Sequence, residues 1–512
     1  MKSDRALVLP DDEYNRLLVS RVHPSDWANP EPRGRYNLVV IGAGTAGLVT
    51  AAIAAGLGAK VALIERHLMG GDCLNVGCVP SKGLIAASRA WAAIRRGEEF
   101  GVEGAEAARP DFGAAMARMR RLRARIGGND SARRFAGLGV DVFLGAGRFC
   151  GPGVIEVAGK RLEFAKAAIC TGARPADPAI PGLTEAGYLT NETVFELEDL
   201  PRRLAVIGAG PIGCEMAQAL ARFGSRVWLF ERMARILPRD DADAAAVLQE
   251  RLRKDGVTLG FGVTVTRVER RGAETIISCS ADGSSKEVVV DGILIAAGRS
   301  PNVEGLGLES VGVTYDAARG VKVNDRLQTT ASGIYAAGDV CFPYQFTHAA
   351  DATAQILIQN ALFPHPLGLG WASTRSLIIP WATYTDPEIA HVGMSKAEAD
   401  AAGLETEPFT FKLDEVDRAI LDGEEEGFAR VWVKTGTDRI VGATIVAAHA
   451  GDLISEFTVA MRNGLGLSAI AGTIHPYPTQ AEVIKKVAYA WRKATFTERK
   501  KAILRRWFAW SR

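Results

Sequence analysis

The chain has 512 residues, 47% hydrophobic and 23% charged, with 61 basic and 59 acidic side chains for a formal net charge of +2. At roughly 100–200 residues per domain, that length implies about three or four domains with large cores, and the composition excludes a disordered, collagenous or disulfide-scaffold protein. The near-neutral balance gives no reason to expect nucleic acid as a partner, and seven cysteines, too few and odd in number for a secreted disulfide framework, point to reduced thiols and a cytoplasmic location.

The N-terminus (MKSDRALVLPDDEYNRLL) carries acids where a signal peptide needs an unbroken apolar core. Residues 1–35 combine prolines with mixed charge and no clear periodicity, and read as an extension that lies over the first domain or stays mobile. The uncharged stretch Leu38–Ala59 is long enough for a membrane span. It opens as the strand-like LVVIG and continues Gly/Ala-rich, so it reads as strand, turn and helix.

From Tyr36 the order is strand (Leu38–Ile41), glycine turn (Gly42–Gly47), helix to about Leu57 and strand (Lys60–Ile64), one βαβ unit. A second unit starts at Arg203, turns through Gly208–Gly213 and ends on Arg226–Phe230. Between them, the arginine-rich segment Asp111–Arg134 reads as a helix with a solvated face, followed by short strands over Val140–Ile169. After the second unit come strands to Ile293–Arg299, a strand and turn at Gly333–Asp339, and a helix from about His348. From Thr374 strands alternate with helices around Leu453–Asn463 and Thr479–Ala490.

The expected fold class is therefore α/β, with two doubly wound dinucleotide-binding (Rossmann-like) domains plus a C-terminal α+β domain. The boundaries are an extension (1–35), the first dinucleotide domain (36–200), the second (201–300), a return to the first (301–373), the α+β domain (374–490) and a basic aromatic tail (491–512).

Gly42, Gly44 and Gly47, with Thr45 and Ala46 between them, fit G-x-G-x-x-G after a strand and before a helix, and Glu65 ends the next strand. Such glycines let the backbone turn tightly against a pyrophosphate, the helix N-terminus supplies unpaired N–H groups, and the acid can bind ribose hydroxyls. Gly208, Gly210, Ile212 and Gly213 repeat the pattern, with Glu231, Arg232 and Arg235 downstream. Glu231 favours a ribose 2′-OH while either arginine could accept a 2′-phosphate, so NADH is favoured over NADPH without excluding it.

Cys73 and Cys78 sit in GGDCLNVGCVPSK, at the entry to a helix just after Glu65. A helix N-terminus favours thiolate, and two cysteines there can cycle between dithiol and disulfide. A metal pair would need further ligands, and Cys150, Cys170, Cys214, Cys279 and Cys341 stand singly among apolar residues and read as core.

These motifs, over about Tyr36–Ala490, resemble the flavin-dependent pyridine nucleotide-disulfide oxidoreductases, which include glutathione reductase, dihydrolipoamide dehydrogenase and mercuric reductase. The resemblance implies FAD in the first site, NADH or NADPH in the second, and electron flow through flavin to the cysteines. It makes Cys78 the thiol beside the flavin and Cys73 the one that exchanges with a small-molecule acceptor. It also pairs Lys82, in the CVPSK motif, with Glu215, assigns Thr171-Gly172 to the turn closing the FAD domain, and gives Asp339, beside the permissive Gly338, to the flavin ribityl chain. TYTDPEIAHVG (Thr383–Gly393) resembles the start of the dimer-interface domain, which implies a homodimer whose subunits complete each other's sites.

The chain departs from the common His-Pro-Thr-x-x-Glu motif. It reads His475-Pro476-Tyr477-Pro478-Thr479-Gln480-Ala481-Glu482, which puts Tyr477 at the base position, with Glu482 as its orienter and His475 as a secondary candidate. With an ordinary pKa of about 10, tyrosine is a poor base near neutrality but can donate a hydrogen bond or help bind a metal-thiolate. Mercuric reductases resemble this, although their C-terminal cysteine pair, suited to soft Hg(II), has no counterpart after Cys341. The reading is a mercuric reductase-like enzyme acting on a disulfide or metal-thiolate, with dihydrolipoamide dehydrogenase as the alternative. A third reading is a redox-responsive, membrane-associated flavoprotein, because the tail Trp491–Arg512 has the make-up of a helix that contacts an anionic membrane.

Overall fold

Runs of aliphatic residues become strands covered on both faces, as parallel sheets require. In the computed structural model, which describes residues 8–272, 274–281 and 283–512, Tyr36–Ile41 and Val61–Glu65 pair in parallel, and every residue of the second is buried. The first sheet runs Val140–Leu144, Val61–Glu65, Tyr36–Ile41, Lys160–Ile169, Val154–Val157, Arg148–Gly151, with Ile334–Ala336 also joined to Lys160–Ile169. That long strand serves two partnerships. Its first half pairs antiparallel with Val154–Val157, and its second half lies parallel to Tyr36–Ile41 and to Ile334–Ala336. The segments after these parallel strands, Gly42–Gly47, Thr171–Gly172 and Gly338–Asp339, therefore emerge along one carboxyl edge, where open α/β sheets bind ligands.

The second dinucleotide fold repeats the device around Arg203–Ile207, which pairs in parallel with Arg226–Glu231 and Gly292–Ile295. Three antiparallel strands, Thr264–Arg271, Glu274–Ala281 and Ser284–Val290, accompany it. The chain divides into two compact units, Met1–Gly208 with Ala219–Phe230 and Val263–Leu377, and Ala209–Gln218 with Glu231–Gly262 and Ile378–Arg512. In the second, five antiparallel strands run in the order Trp381–Thr383, Glu388–Gly393, Ile440–Ala447, Phe428–Lys434, Thr406–Lys412. Helices Ala450–Arg462 and Glu482–Ala494 bury Ile454, Phe457, Ile484 and Val487 in the same core as the inward faces of these strands.

Three features differ from the sequence reading. The extension contains a helix, Glu13–Val22, capped by Asp12, whose carboxylate accepts from the Asn15 N–H at 2.7 Å. Its Leu18 and Val22 join the core of the first sheet. Trp27 Nε1 donates to the Val142 carbonyl (3.1 Å), and Asn29 exchanges two hydrogen bonds with Leu144 (2.9 and 2.7 Å). Of the two alternatives for the extension, its described part thus lies over the first domain; residues 1–7 fall outside the described residues.

The arginine-rich segment keeps the expected solvated face, with Arg118, Arg121, Arg125, Arg133 and Arg134 exposed, but Arg120 and Arg123 turn inward. It forms helices Phe112–Ile126 and Ala132–Gly137, and Arg123 is only 2% exposed. A buried guanidinium needs acceptors, and Arg123 finds the Asn15 side-chain oxygen at 2.7 Å and the Asn75 carbonyl at 2.6 Å, while Arg120 pairs with Asp12 at 2.5 Å. Among the cysteines read as core, Cys170, Cys214 and Cys279 are buried and Cys341 partly so, but Cys150 is exposed because it lies near the end of the outermost strand of the first sheet.

Candidate active site

The first glycine loop is built so that backbone lines it. Gly42 has φ +100°, and a Cβ there would strike the Cys170 carbonyl oxygen. A Cβ on Gly47 would meet the Gly42 carbonyl oxygen, one on Gly71 would come within 2.6 Å of the Gly44 Cα, and one on Gly338 would sit 3.1 Å from the Ala46 Cβ. Helix Thr45–Gly56 begins at Gly44 with no side-chain cap and no acid in its first turn. Its first N–H groups therefore stay open to an anion.

Glu65 braces this loop. Its two carboxylate oxygens accept from the N–H groups of Ala43 (2.7 Å) and His67 (2.8 Å). Burial pushes its carboxyl above the ordinary range, and these donors pull the other way. Glu231 does the same, accepting from Ala209 (2.8 Å) and Met233 (2.9 Å). A carboxylate has about four acceptor sites, so each acid keeps capacity for ribose hydroxyls. Gly208 has φ +103°, and a Cβ there would lie 2.7 Å from the Ala296 carbonyl oxygen, whereas the space around Gly210 is open. Ile212 and Gly213 lie in the first turn of helix Pro211–Arg222, with Ile212 exposed. Of the two arginines after Glu231, Arg232 is exposed, but Arg235 is committed to the carbonyls of Ile236, Leu237, Pro238 and Asp240. That corrects the expectation that either could receive a 2′-phosphate.

Cys73 lies in the short helix Gly71–Asn75, and Cys78 opens helix Cys78–Arg95. Gly77 between them is held so close that a Cβ would lie 2.7 Å from the Asp72 carbonyl oxygen, which explains the glycine and the sharp return of the chain. The two thiols lie within hydrogen-bonding reach of each other. The Cys78 sulfur, and then burial, push the Cys73 thiol far above its ordinary range, so Cys73 holds its proton. Cys78 Sγ also lies 3.5 Å from Thr347 Oγ1, the first residue of helix Thr347–Leu362. Sequence reasoning missed Thr347, whose only signal is a hydroxyl residue at a helix start. The loop is tied from outside: Arg123 donates to the Asn75 carbonyl, and Asn191 Nδ2 to that of Val76 at 3.3 Å. Lys82 follows Cys78 by four residues and so shares its helix face.

Thr171 and Asn302 close the adjoining turn reciprocally, Thr171 Oγ1 donating to the Asn302 carbonyl (2.7 Å) and Asn302 Nδ2 to that of Thr171 (2.9 Å), with Gly172 at φ +68°. Arg299 pairs with Asp72 and stands 3.8 Å from Asp339. Burial pushes the Asp339 carboxyl up to about 6, against the pull of Arg299. A carboxyl raised from 3.8 to about 6 on folding keeps a proton that the unfolded chain has lost, so its contribution to stability falls as pH rises through that window. Asp339→Asn in the flavin-free protein is expected to flatten that fall, measured as urea midpoints between about pH 4 and pH 6.

Two family models match the chain: pyridine nucleotide-disulphide oxidoreductase over residues 36–355, and the dimerisation domain of the same family over residues 379–488. The chain belongs to the pyridine nucleotide-disulphide oxidoreductase family. It is 34% identical to a mercuric reductase of Staphylococcus aureus over 90% of this chain and 83% of that one, and 35% identical to a dihydrolipoyl dehydrogenase of Thermus scotoductus over 90% and 98%. Among solved structures, it is similar to the HOCl-induced flavoprotein disulfide reductase RclA from Escherichia coli (TM-score 0.79, 28% identity, 89% of this chain and 99% of that one). LpdA from Mycobacterium tuberculosis is equally similar (TM-score 0.79, 28% identity, 88% and 99%). The family uses FAD and NAD(P)H, and the residues of this oxidoreductase fit such ligands: two backbone cradles that a Cβ would fill, each ended by a braced acid, with Asp339 at the edge of the first.

The oxidoreductase's dimerisation-domain unit holds the remaining predicted residues. Glu215, 4% exposed, accepts from the Tyr384 N–H at 2.9 Å. Tyr477 is 70% exposed, and its hydroxyl donates to Asp417 at 2.9 Å. Asp417, not Glu482, is therefore its orienter in this fold; Glu482 lies at the start of helix Glu482–Ala494 with Lys486 3.9 Å away. The Asp417 bond pushes the Tyr477 hydroxyl above its ordinary range. His475 is the better buried, its side chain 6% exposed and its Nε2 3.0 Å from Glu456.

Proposed function

We propose that this oxidoreductase carries two electrons from NAD(P)H through FAD to the Cys73–Cys78 disulfide, and that the resulting dithiol reduces a small disulfide or metal-thiolate in the manner of mercuric reductases. For a disulfide the balance is NAD(P)H + H⁺ + RSSR → NAD(P)⁺ + 2 RSH; for a mercuric thiolate, NAD(P)H + H⁺ + Hg(SR)₂ → NAD(P)⁺ + Hg⁰ + 2 RSH. FAD, when bound, supplies the relay between hydride and thiol chemistry. In this reading Cys78 stands beside the flavin and Cys73 exchanges with the acceptor. Thr171, Gly172, Gly338 and Asp339 shape the flavin site, while Arg232 faces the nicotinamide nucleotide. The domain limits are those given above, the enzyme is a homodimer, and it works in the cytoplasm.

The observation that carries the mercuric reductase-like reading is Tyr477. Its hydroxyl is exposed, held by Asp417 and kept protonated, suited to help bind a metal-thiolate and not to act as a base. The dihydrolipoyl dehydrogenase reading has its own support in the part-buried His475–Glu456 pair, which has the form of a base and its orienter. Turnover of the bis-cysteine complex of Hg(II) against turnover of lipoamide separates them. The proposal expects Hg(II) turnover to exceed lipoamide turnover, with Tyr477→Phe lowering it about tenfold and His475→Asn leaving it unchanged. Dominant lipoamide turnover that His475→Asn abolishes would overturn it in favour of the second reading.

A further inference from the structure

The last helix, Glu498–Trp510, has no buried residue, although it follows the well-packed helix Glu482–Ala494 directly. That preceding helix is fixed near its end, where Trp491 Nε1 donates to the Thr437 carbonyl at 3.2 Å. Beyond Thr497, which caps the last helix, Ile503, Trp507 and Trp510 recur at helical spacing, with Leu504 and Phe508 one position on. Ile503, Trp507, Phe508 and Trp510 are each more than half exposed, and the rings of Trp507 and Trp510 stand 5.2 Å apart on one face. This is an exposed aromatic stripe of a kind that folded surfaces do not carry without a use.

The charges around the stripe say what covers it. Arg499 and Arg506, seven residues apart, run along one flank, and Lys501 and Arg505 along the other. Lys500 lies within the apolar arc, and its ammonium donates back to the Thr495 carbonyl at 3.1 Å. Glu498, the one acid, is already engaged by Lys501 (2.7 Å) and Arg505 (3.5 Å). Five basic side chains against one acidic, bordering a Trp- and Phe-rich face, complement a surface that is apolar below and anionic above. Tryptophan belongs at that boundary, where its ring is buried and its N–H stays wet. No helix among the described residues is long and apolar enough to cross a membrane.

We propose that Glu498–Trp510 is an interfacial helix that docks the folded enzyme on an anionic bilayer, its aromatic face at the acyl boundary and its arginines and lysines among the lipid phosphates. The contact is peripheral, and it would bring the active site to acceptors concentrated at the membrane without altering the chemistry.

The test is flotation of the FAD-loaded enzyme with vesicles of phosphatidylcholine, with and without about one-quarter phosphatidylglycerol. The full chain is expected to float with the anionic vesicles only and to be released by high salt. Trp507→Ser with Trp510→Ser, and separately Arg505→Glu with Arg506→Glu, should each reduce the bound fraction about tenfold or more while flavin content and NADH oxidation stay unchanged. Failure of the full chain to float, or flotation that neither pair of substitutions reduces, overturns the proposal. So does a dimer that falls apart on sedimentation once residues 496–512 are removed, because the stripe would then be a contact between two copies of the chain.

Discussion

Cys78→Ala is expected to bind FAD normally and to lose disulfide and metal-thiolate turnover by about a thousandfold or more, as removal of a reacting nucleophile does in other enzymes. The thiol it removes opens helix Cys78–Arg95, within reach of Cys73 and of Thr347. Anaerobic titration with NADH gives the sharper readout: the parent develops a long-wavelength thiolate–flavin absorbance, and the variant does not. Cys73→Ala should keep that absorbance, since Cys78 remains, and still fail in turnover. Undiminished turnover in either variant would remove the cysteine pair from the electron path and direct attention to quinones or oxygen as acceptors.

The second large effect is expected from Arg123→Ala. This buried guanidinium joins three separate pieces of chain: its own helix, Asn15 of the N-terminal helix and the Asn75 carbonyl between the two cysteines. Its removal leaves two buried acceptors unpaired, at a cost of about 3 kcal/mol or more, read as a lowered urea midpoint at an unchanged slope. Burial pulls the Arg123 pKa down to about 10, so the group stays charged at neutral pH and the loss includes a charge-assisted bond. Arg123→Lys keeps the charge without the fork and should recover only part of the difference. A change within experimental error for Arg123→Ala would show that the extension does not brace the redox loop.

Much of this arrangement can be read in the sequence, and the boundary of what can be read has a physical cause. Both glycine loops and their acids are local patterns: a strand, a turn that only glycine permits, a helix start and a carboxylate a fixed distance downstream. Cys73 and Cys78 are likewise close in sequence, and the glycine that folds them together lies between them. What escaped depends on partners far along the chain. Arg120 and Arg123 count as surface charge until Asp12 and Asn15, more than a hundred residues earlier, supply acceptors. The helix Glu13–Val22 was hidden because prolines and charges around it mask the spacing of Leu18 and Val22. Tyr477 is read from its motif, yet its acceptor is Asp417, sixty residues away, and not the glutamate five positions on.

The two braced acids bear on how this enzyme can evolve. Exchanging one nicotinamide cofactor for the other usually begins with the acid that meets the ribose, and the acid proposed for that role, Glu231, also fixes the amides of Ala209 and Met233. Removing its negative charge would also loosen the turn that receives the pyrophosphate. Drift in cofactor preference is therefore channelled toward neighbours such as the exposed Arg232, which can change without disturbing the backbone. The first loop is under the same constraint through Glu65, so each loop combines a robust turn with a narrow route to new specificity.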